Sequence, residues 1–324
     1  MPRTSFISNF KRLPLAFLLA LWAIIGIERY VGSRITPDFF NHEVDHLLRL
    51  LDTRRFKADY LLIGDSVALQ LYRQFQKDPR FDDLATNQAV ETTGHYFLVR
   101  RYLEKNPPPK IVIFTGLPFH FRDLRQVYTE NFVLRTFTNT QEIIDVYQAR
   151  LNPAMTAKMI AYKVSPSYKF RLKLQEELVD FSNSDVYSGV DFAIKPAKLG
   201  SHSVLNILSD KFPREKTGVT HFRELLAYLE GKGIDLYYVP VPVQMQDRIN
   251  QHAIDHEELI SKILPQLQEE FANFHYSSEL VEFDRKWFVD GVHFTPEGLF
   301  LGEEYLRKKL EPIVGKTQTF SLAE

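Results

Sequence analysis

The chain has 324 residues, 44% of them apolar, with 40 Lys and Arg against 41 Asp and Glu for a net charge of −1. That length suits one large domain or two smaller ones with ample core, and the balanced charge gives nothing to draw the chain onto nucleic acid or a strongly acidic partner. The absence of cysteine excludes disulfides, thiolate chemistry and Cys-ligated zinc, and it fits a bacterial protein of the extracytoplasmic space.

Arg3, Lys11 and Arg12 precede a run from Leu13 to Ile27 without a charge, and Tyr30 and Val31 extend it beyond Glu28 and Arg29. A spanning helix needs roughly 20 apolar residues, so the run is short, yet no small-residue cleavage site follows it. The basic flank places the N-terminus inside the cell. The expectation is therefore an uncleaved signal anchor. Residues 1–31 form a cytoplasmic tail and a single pass through the inner (cytoplasmic) membrane, and the remainder is periplasmic. The competing reading is a buried globular helix, against which the three basic residues ahead of the run weigh.

Thr36 and Pro37 open a helix whose apolar positions Phe40, Val44, Leu47, Leu48 and Leu51 recur at helical spacing, making residues 32–57 a stalk or a packing helix. Residues 58–315 read as the main domain and 316–324 as a tail. Leu61 to Ile63 suit a buried central strand, Gly64 permits a sharp turn, and Asp65 and Ser66 favour turns and helix caps. The serine hydroxyl then stands at the carboxyl end of a strand, where open α/β sheets put their ligands. Gly-Asp-Ser also serves an ordinary strand-to-helix turn. A helix continues to about Lys77 and Asp78-Pro79 ends it. Leu84 onward reads as a strand running into a turn near Gly94, a helix reaches Glu104, and Lys110 to Thr115 is a further strand.

Residues 120–215 form an insertion with helical stretches at Gln141 to Gln148 and Lys169 to Val179 and a loop from Phe181 to Ser203. Its Tyr, Phe, Lys and Arg could line a polymer groove or dock a partner, or simply form a solvated helical cap. The sheet resumes with a helix from Phe222 to Leu229, closed by Gly231 and Gly233, and a strand from Ile234 to Val239. Glu257 to Phe271 is helical with Pro265 as a kink, Leu280 to Phe283 is the last strand, and Glu297 to Leu310 the last helix. Ahead of that helix, Asp290 and His293 sit three positions apart, followed by Thr295 as N-cap and Pro296 as first helical residue. The order Ser, Asp, His also occurs among α/β serine hydrolases. His252 and His256 sit four apart and with Glu257 could make a zinc site on a helix, but long exposed helices often carry such pairs and no further ligand stands out, and neither Gly-x-Gly-x-x-Gly nor a P-loop occurs, so no metal and no cofactor is expected. His95 and His120 flank the turns after the second and third strands, where they could reach the edge of the site, and read as structural.

Gly64-Asp65-Ser66 and Asp290-Gly291-Val292-His293 together resemble the SGNH (GDSL-like) hydrolase superfamily, over about residues 58 to 312 with a large interruption. The resemblance implies an α/β, three-layer, flavodoxin-like fold with a mainly parallel five-stranded sheet, to which this chain adds the anchor helix and the helical insertion. It implies Ser66 as nucleophile, Asp290 and His293 as its triad partners, and the backbone N–H groups of Ser66 and Thr92 as oxyanion donors. The family's Gly-x-Asn-Asp block, whose Asn donates to the oxyanion, is here Gly116-Leu117-Pro118-Phe119, and proline offers no donor. Membrane-anchored relatives that act on envelope polymers, such as the DltD-like and alginate O-acetylation proteins, also depart from the standard blocks. The expected function is a serine esterase or O-acyltransferase acting on a polysaccharide of the envelope or secreted outside it, with a membrane acyl-donor protein as partner. The alternative is a non-catalytic glycan-binding or scaffold subunit of a polysaccharide-modification complex.

Overall fold

The computed structural model describes residues 5–34, 43–86, 91–121, 133–150, 153–169, 217–244, 257–279 and 281–315. Helices α1 (Ser5–Arg34) and α2 (Glu43–Thr53) lead into strand β1 (Tyr60–Gly64), helix α3 (Ser66–Tyr72), β2 (Phe81–Asp83), α4 (Thr92–Lys105) and β3 (Ile111–Gly116). A 3₁₀ turn (Pro118–Phe121) and helices α5 (Thr140–Arg150), α6 (Pro153–Val164) and α7 (Pro166–Lys169) belong to the insertion. The chain then returns through α8 (Thr217–Glu230), β4 (Asp235–Pro240), β5 (Val243–Gln244), α9 (Leu264–Glu270), β6 (Phe274–Tyr276), β7 (Glu282–Phe283) and α10 (Pro296–Val314).

One parallel sheet of five strands runs in the order β2, β1, β3, β4, β6. Such a sheet is buried on both faces, so its strands are apolar throughout instead of alternating with polar residues. Leu61 and Ile63 turn to one face with Phe114 and Tyr238, beneath α2, α4, α8 and α9. Leu62, Ile113 and Val239 turn to the other, beneath α3 and α10. The result is three layers. From β1 the chain goes first to β2 on one side and then crosses to β3 on the other, so the crevice outside the carboxyl ends of β1 and β3 is the switch point where open α/β sheets bind ligands. Ser66 follows β1 directly, and residues 117–121 follow β3.

Several expectations shift. The strand expected from Leu84 is β2, ending at Asp83. Pairing nevertheless continues beyond it, because the amides of Leu84 and Thr86 donate to the carbonyls of Leu62 and Gly64. The fifth strand is Phe274–Tyr276 and not Leu280 to Phe283, whose last two residues instead pair with β5 in a separate two-stranded sheet. Phe274 is fully buried whereas Glu282 is exposed, so the edge of the main sheet goes to the segment with the better core residue. The bend expected at Pro265 is a widened π turn, Leu259–Ile263, just ahead of the residue that has no N–H to give. In the insertion α5 covers its expected stretch and α6 was not foreseen, while residues 170–216 lie outside the described part. Val44, Leu47, Leu48 and Leu51 bury themselves in the core, so α2 packs on the domain. Among the described residues no helix is long and apolar enough to cross a membrane, and the side chains of residues 1–16 lie outside that description.

Gly64 is needed for closeness more than for turning. Its φ is not among the positive ones, but a Cβ there would stand 2.1 Å from the Thr115 carbonyl oxygen and 2.3 Å from the Ala68 Cβ. Backbone cannot yield as a flexible side chain does. Gly64→Ala is expected to lower stability by about 3 kcal/mol, read as a fall in Tm of roughly 5–10 °C. An unchanged Tm would show that β1 and β3 can part without cost.

Candidate active site

The serine's position is fixed by Asp65. This residue caps α3, with Oδ1 accepting from the Val67 and Ala68 amides at 2.9 and 3.1 Å, which satisfies two donors of the first turn. Its other oxygen accepts from the Leu117 amide at 2.8 Å and lies 2.9 Å from His120 Nε2. One buried carboxylate thus ties the turn after β1 to the turn after β3. Burial by itself would raise the Asp65 carboxyl, but the His120 bond and charge, followed by the amides, hold it down at about 2.

The histidine loop is built by close packing against the serine's own helix. Thr295 caps α10 by accepting from the Gly298 amide, and Pro296 supplies the preset φ of the first turn. A Cβ at Gly298 would meet the Trp287 carbonyl oxygen at 2.1 Å, and one at Gly302 would meet Leu71 of α3 at 2.7 Å. Phe288 and Phe294 bridge the neck of the loop, with Val289 donating to the His293 carbonyl, and Gln70 of α3 accepts from the Phe294 amide at 3.2 Å. Gly291, at φ +98°, makes the turn that an L side chain would strain.

These contacts bring Ser66 Oγ to 2.8 Å from His293 Nε2 and His293 Nδ1 to 2.8 Å from Asp290 Oδ2. Asp290 Oδ1 accepts from the Val292 and His293 amides, which fixes the carboxylate relative to the ring. Burial disfavours its charge, yet the bond and charge of His293 hold the Asp290 carboxyl at about 2. An ionised carboxylate can only accept, so the imidazole proton belongs on Nδ1, and Nε2 is left to accept from the serine hydroxyl. For the ring, burial works against protonation, but Asp290 outweighs it and the His293 pKa is raised above the ordinary imidazole value. The arrangement has an activatable hydroxyl, a base and an orienter of the base, which is the minimum for nucleophilic catalysis.

Comparison with known proteins adds little. No family model matches the chain, and no curated protein does either. One solved structure, from Streptococcus pneumonia and provisionally named a platelet activating factor, is 8% identical with a TM-score of 0.39, over 92% of this chain and 99% of the other. A likeness that weak carries no argument about chemistry, so the site stands on its own geometry.

Thr92 opens α4 and is fully buried. Pro118 begins the 3₁₀ turn, and the neighbouring Leu117 amide is occupied by Asp65. His252 and His256 lie outside the described residues. His120, read from the sequence as structural, is a fully buried imidazole on the far side of Asp65, and its bond to that carboxylate is what the sequence did not show. His95 lies beyond it, with ring centroids 5.7 Å apart, and neither of its ring nitrogens has a partner among the described residues. Burial, then His120, pushes the His95 imidazole down to about 3, so it is neutral at physiological pH. The available signal was placement: both histidines fall next to turns that end at the same sheet edge.

Proposed function

We propose that the chain is a membrane-anchored, extracytoplasmic serine esterase or O-acyltransferase that handles O-acyl groups of an envelope or secreted polysaccharide. The observation that carries this is the unbroken line from Ser66 Oγ through the His293 ring to Asp290, each link 2.8 Å. His293 Nε2 takes the serine proton as Oγ adds to the ester carbonyl, and the imidazolium returns that proton to the departing alkoxide. The acyl-enzyme so formed is opened by water in an esterase or by a sugar hydroxyl in a transferase, His293 acting as base again. In this reading the Ser66 amide at the head of α3 is the first oxyanion donor and the amide of Thr92 at the head of α4 the second. The run from Leu13 to Ile27 is the membrane anchor, and a membrane acyl donor is the partner that a transferase would need.

The second reading is a non-catalytic module that binds glycan or holds a modification complex together. It is favoured by Pro118, which provides no oxyanion donor, and by the burial of Thr92. The deciding experiment treats the detergent-solubilised full chain with a fluorophosphonate and maps the adduct by mass spectrometry. Modification of Ser66 supports the enzyme, and a well-folded chain that stays unmodified supports the module.

A pH profile gives an independent check. His293 must be neutral to accept the serine proton, and its pKa is raised, so kcat/KM for an aryl acetate is expected to fall on the acid side with a midpoint above the ordinary value of about 6.5. Asp290→Asn removes the charge that causes the rise and should move that midpoint to lower pH. An acid limb that stays in place in Asp290→Asn would assign it to another group.

A further inference from the structure

Helix α5 buries Ile143 and Val146 in the core, yet beside the exposed Gln141 and Gln148 it also leaves two large apolar side chains in water. Its two carboxylates turn inward, Glu142 to Arg101 at 2.7 Å and Asp145 to Arg100, both arginines belonging to α4. Its outward face carries Ile144 and Tyr147, more than two-fifths exposed. Helix α6 behaves alike, burying Met159 and Tyr162 while exposing Ile160 and Val164 one turn apart, the latter at 67%. Outside α1 the exposed large apolar side chains among the described residues are these four with Val289 and Phe300, so most of them gather on one helix pair. Scattered apolar residues need no explanation, but a gathered set marks an interaction surface.

What covers it follows from the neighbouring segment. Helix α6 runs on into α7, and α7 is where α1 is fixed. The Glu28 carboxylate accepts from the Ser167 amide at 3.0 Å and from the Ser167 hydroxyl, and Gly32 lies so close that a Cβ would stand 2.8 Å from Pro166. Between residues 17 and 30, α1 exposes Phe17, Trp22 and Ile27 among other apolar side chains. Val164 ends α6 only three residues before Ser167, where α1 is held, and Ile160 stands one helical turn before Val164. Bilayer headgroups form a layer roughly 5–7 Å deep beyond the hydrocarbon. Lys163, exposed between Ile160 and Val164 in the chain and donating to the Thr140 hydroxyl of α5, suits anionic headgroups.

We propose that the outward face of α5 and α6 seats the domain on the lipid surface, so that the protein lies against the bilayer as well as being tethered to it. This rests on the reading of α1 as an anchor. A rigid seat would hold the site at a constant height above the membrane, where a membrane-bound acyl donor delivers its group.

The chain has no cysteine, so single-cysteine variants can each carry one fluorophore. Ile144→Cys, Tyr147→Cys, Ile160→Cys and Val164→Cys report on the seat, Ile24→Cys on the anchor and Phe300→Cys on an exposed site elsewhere. The full chain is placed in vesicles of phosphatidylethanolamine and phosphatidylglycerol, with quenching by nitroxide-labelled lipid compared against quenching by iodide. The expected result is that the four seat positions are quenched by lipid at least about threefold more than position 300 and are correspondingly protected from iodide. Seat positions as open to iodide as position 300, with position 24 in the lipid, would overturn the seat and leave the anchor. If position 24 is also aqueous, the anchor reading fails too. Protection from iodide without lipid quenching would mean that protein, such as a second copy of the chain, covers the face, and this also overturns the proposal.

Discussion

Ser66→Ala is expected to lower aryl acetate turnover by at least about 10³-fold and to abolish fluorophosphonate labelling, because Oγ is the atom that forms the covalent bond. Loss of a triad serine or histidine elsewhere lowers rates by about 10⁶, and the smaller figure allows for a parent enzyme already slowed by about 10²–10³ through its missing donor at Pro118. His293→Ala should match it, since a serine without its base keeps its proton. The double variant should be no worse than either single one, because residues that act as a unit are not additive. Restoring the donor with Pro118→Asn should raise the parent's rate and leave Ser66→Ala at background. A Ser66→Ala protein that keeps a tenth of the parent's turnover would place the chemistry elsewhere.

Much of this site was legible in the sequence, for reasons that can be stated. Leu61 to Ile63 form an apolar run too short for a helix, and Asp65 and Ser66 are the residues a helix cap selects, so strand, turn and serine followed from local preference. Thr295 and Pro296 marked the start of α10 in the same way, which put Asp290 and His293 on the loop before it. The closeness of His293 to Ser66 was a different matter. It depends on Gly302 letting α10 lie on Leu71 and on Gln70 reaching the Phe294 amide, contacts between segments more than two hundred residues apart that no local pattern carries. The role of Asp65 was half visible, as a cap, while its hold on Leu117 and His120 was not. The fifth strand was misplaced because Phe274–Tyr276 is short and has no apolar run, and its pairing is decided by β4.

Asp65→Ala is expected to cost stability on the order of 3–5 kcal/mol, more than any other single change outside the triad proposed here. The substitution removes the α3 cap, worth about 1 kcal/mol, and strands the buried Leu117 amide and His120, each unmet group costing roughly 1–3 kcal/mol. In a chain of this size that is a Tm lower by about 6–10 °C. The pH dependence separates this account from simple loss of packing. The folded Asp65 carboxyl titrates at about 2, below its unfolded value of 3.8, so its contribution is fully present above the unfolded value and is lost as pH falls through about 2. The parent should therefore lose stability between about pH 4 and pH 2, by up to about 2 kcal/mol from this group, read as a falling Tm. Asp290 is also held at about 2, but its side chain is 43% exposed, so solvent screening leaves it a smaller share of the acid response. Asp65→Ala should begin at a lower Tm and fall more gently over the same range, whereas Asp290→Ala should begin near the parent and follow it. Equal acid slopes for parent and Asp65→Ala would show that the carboxylate is not what joins the turn after β1 to the turn after β3.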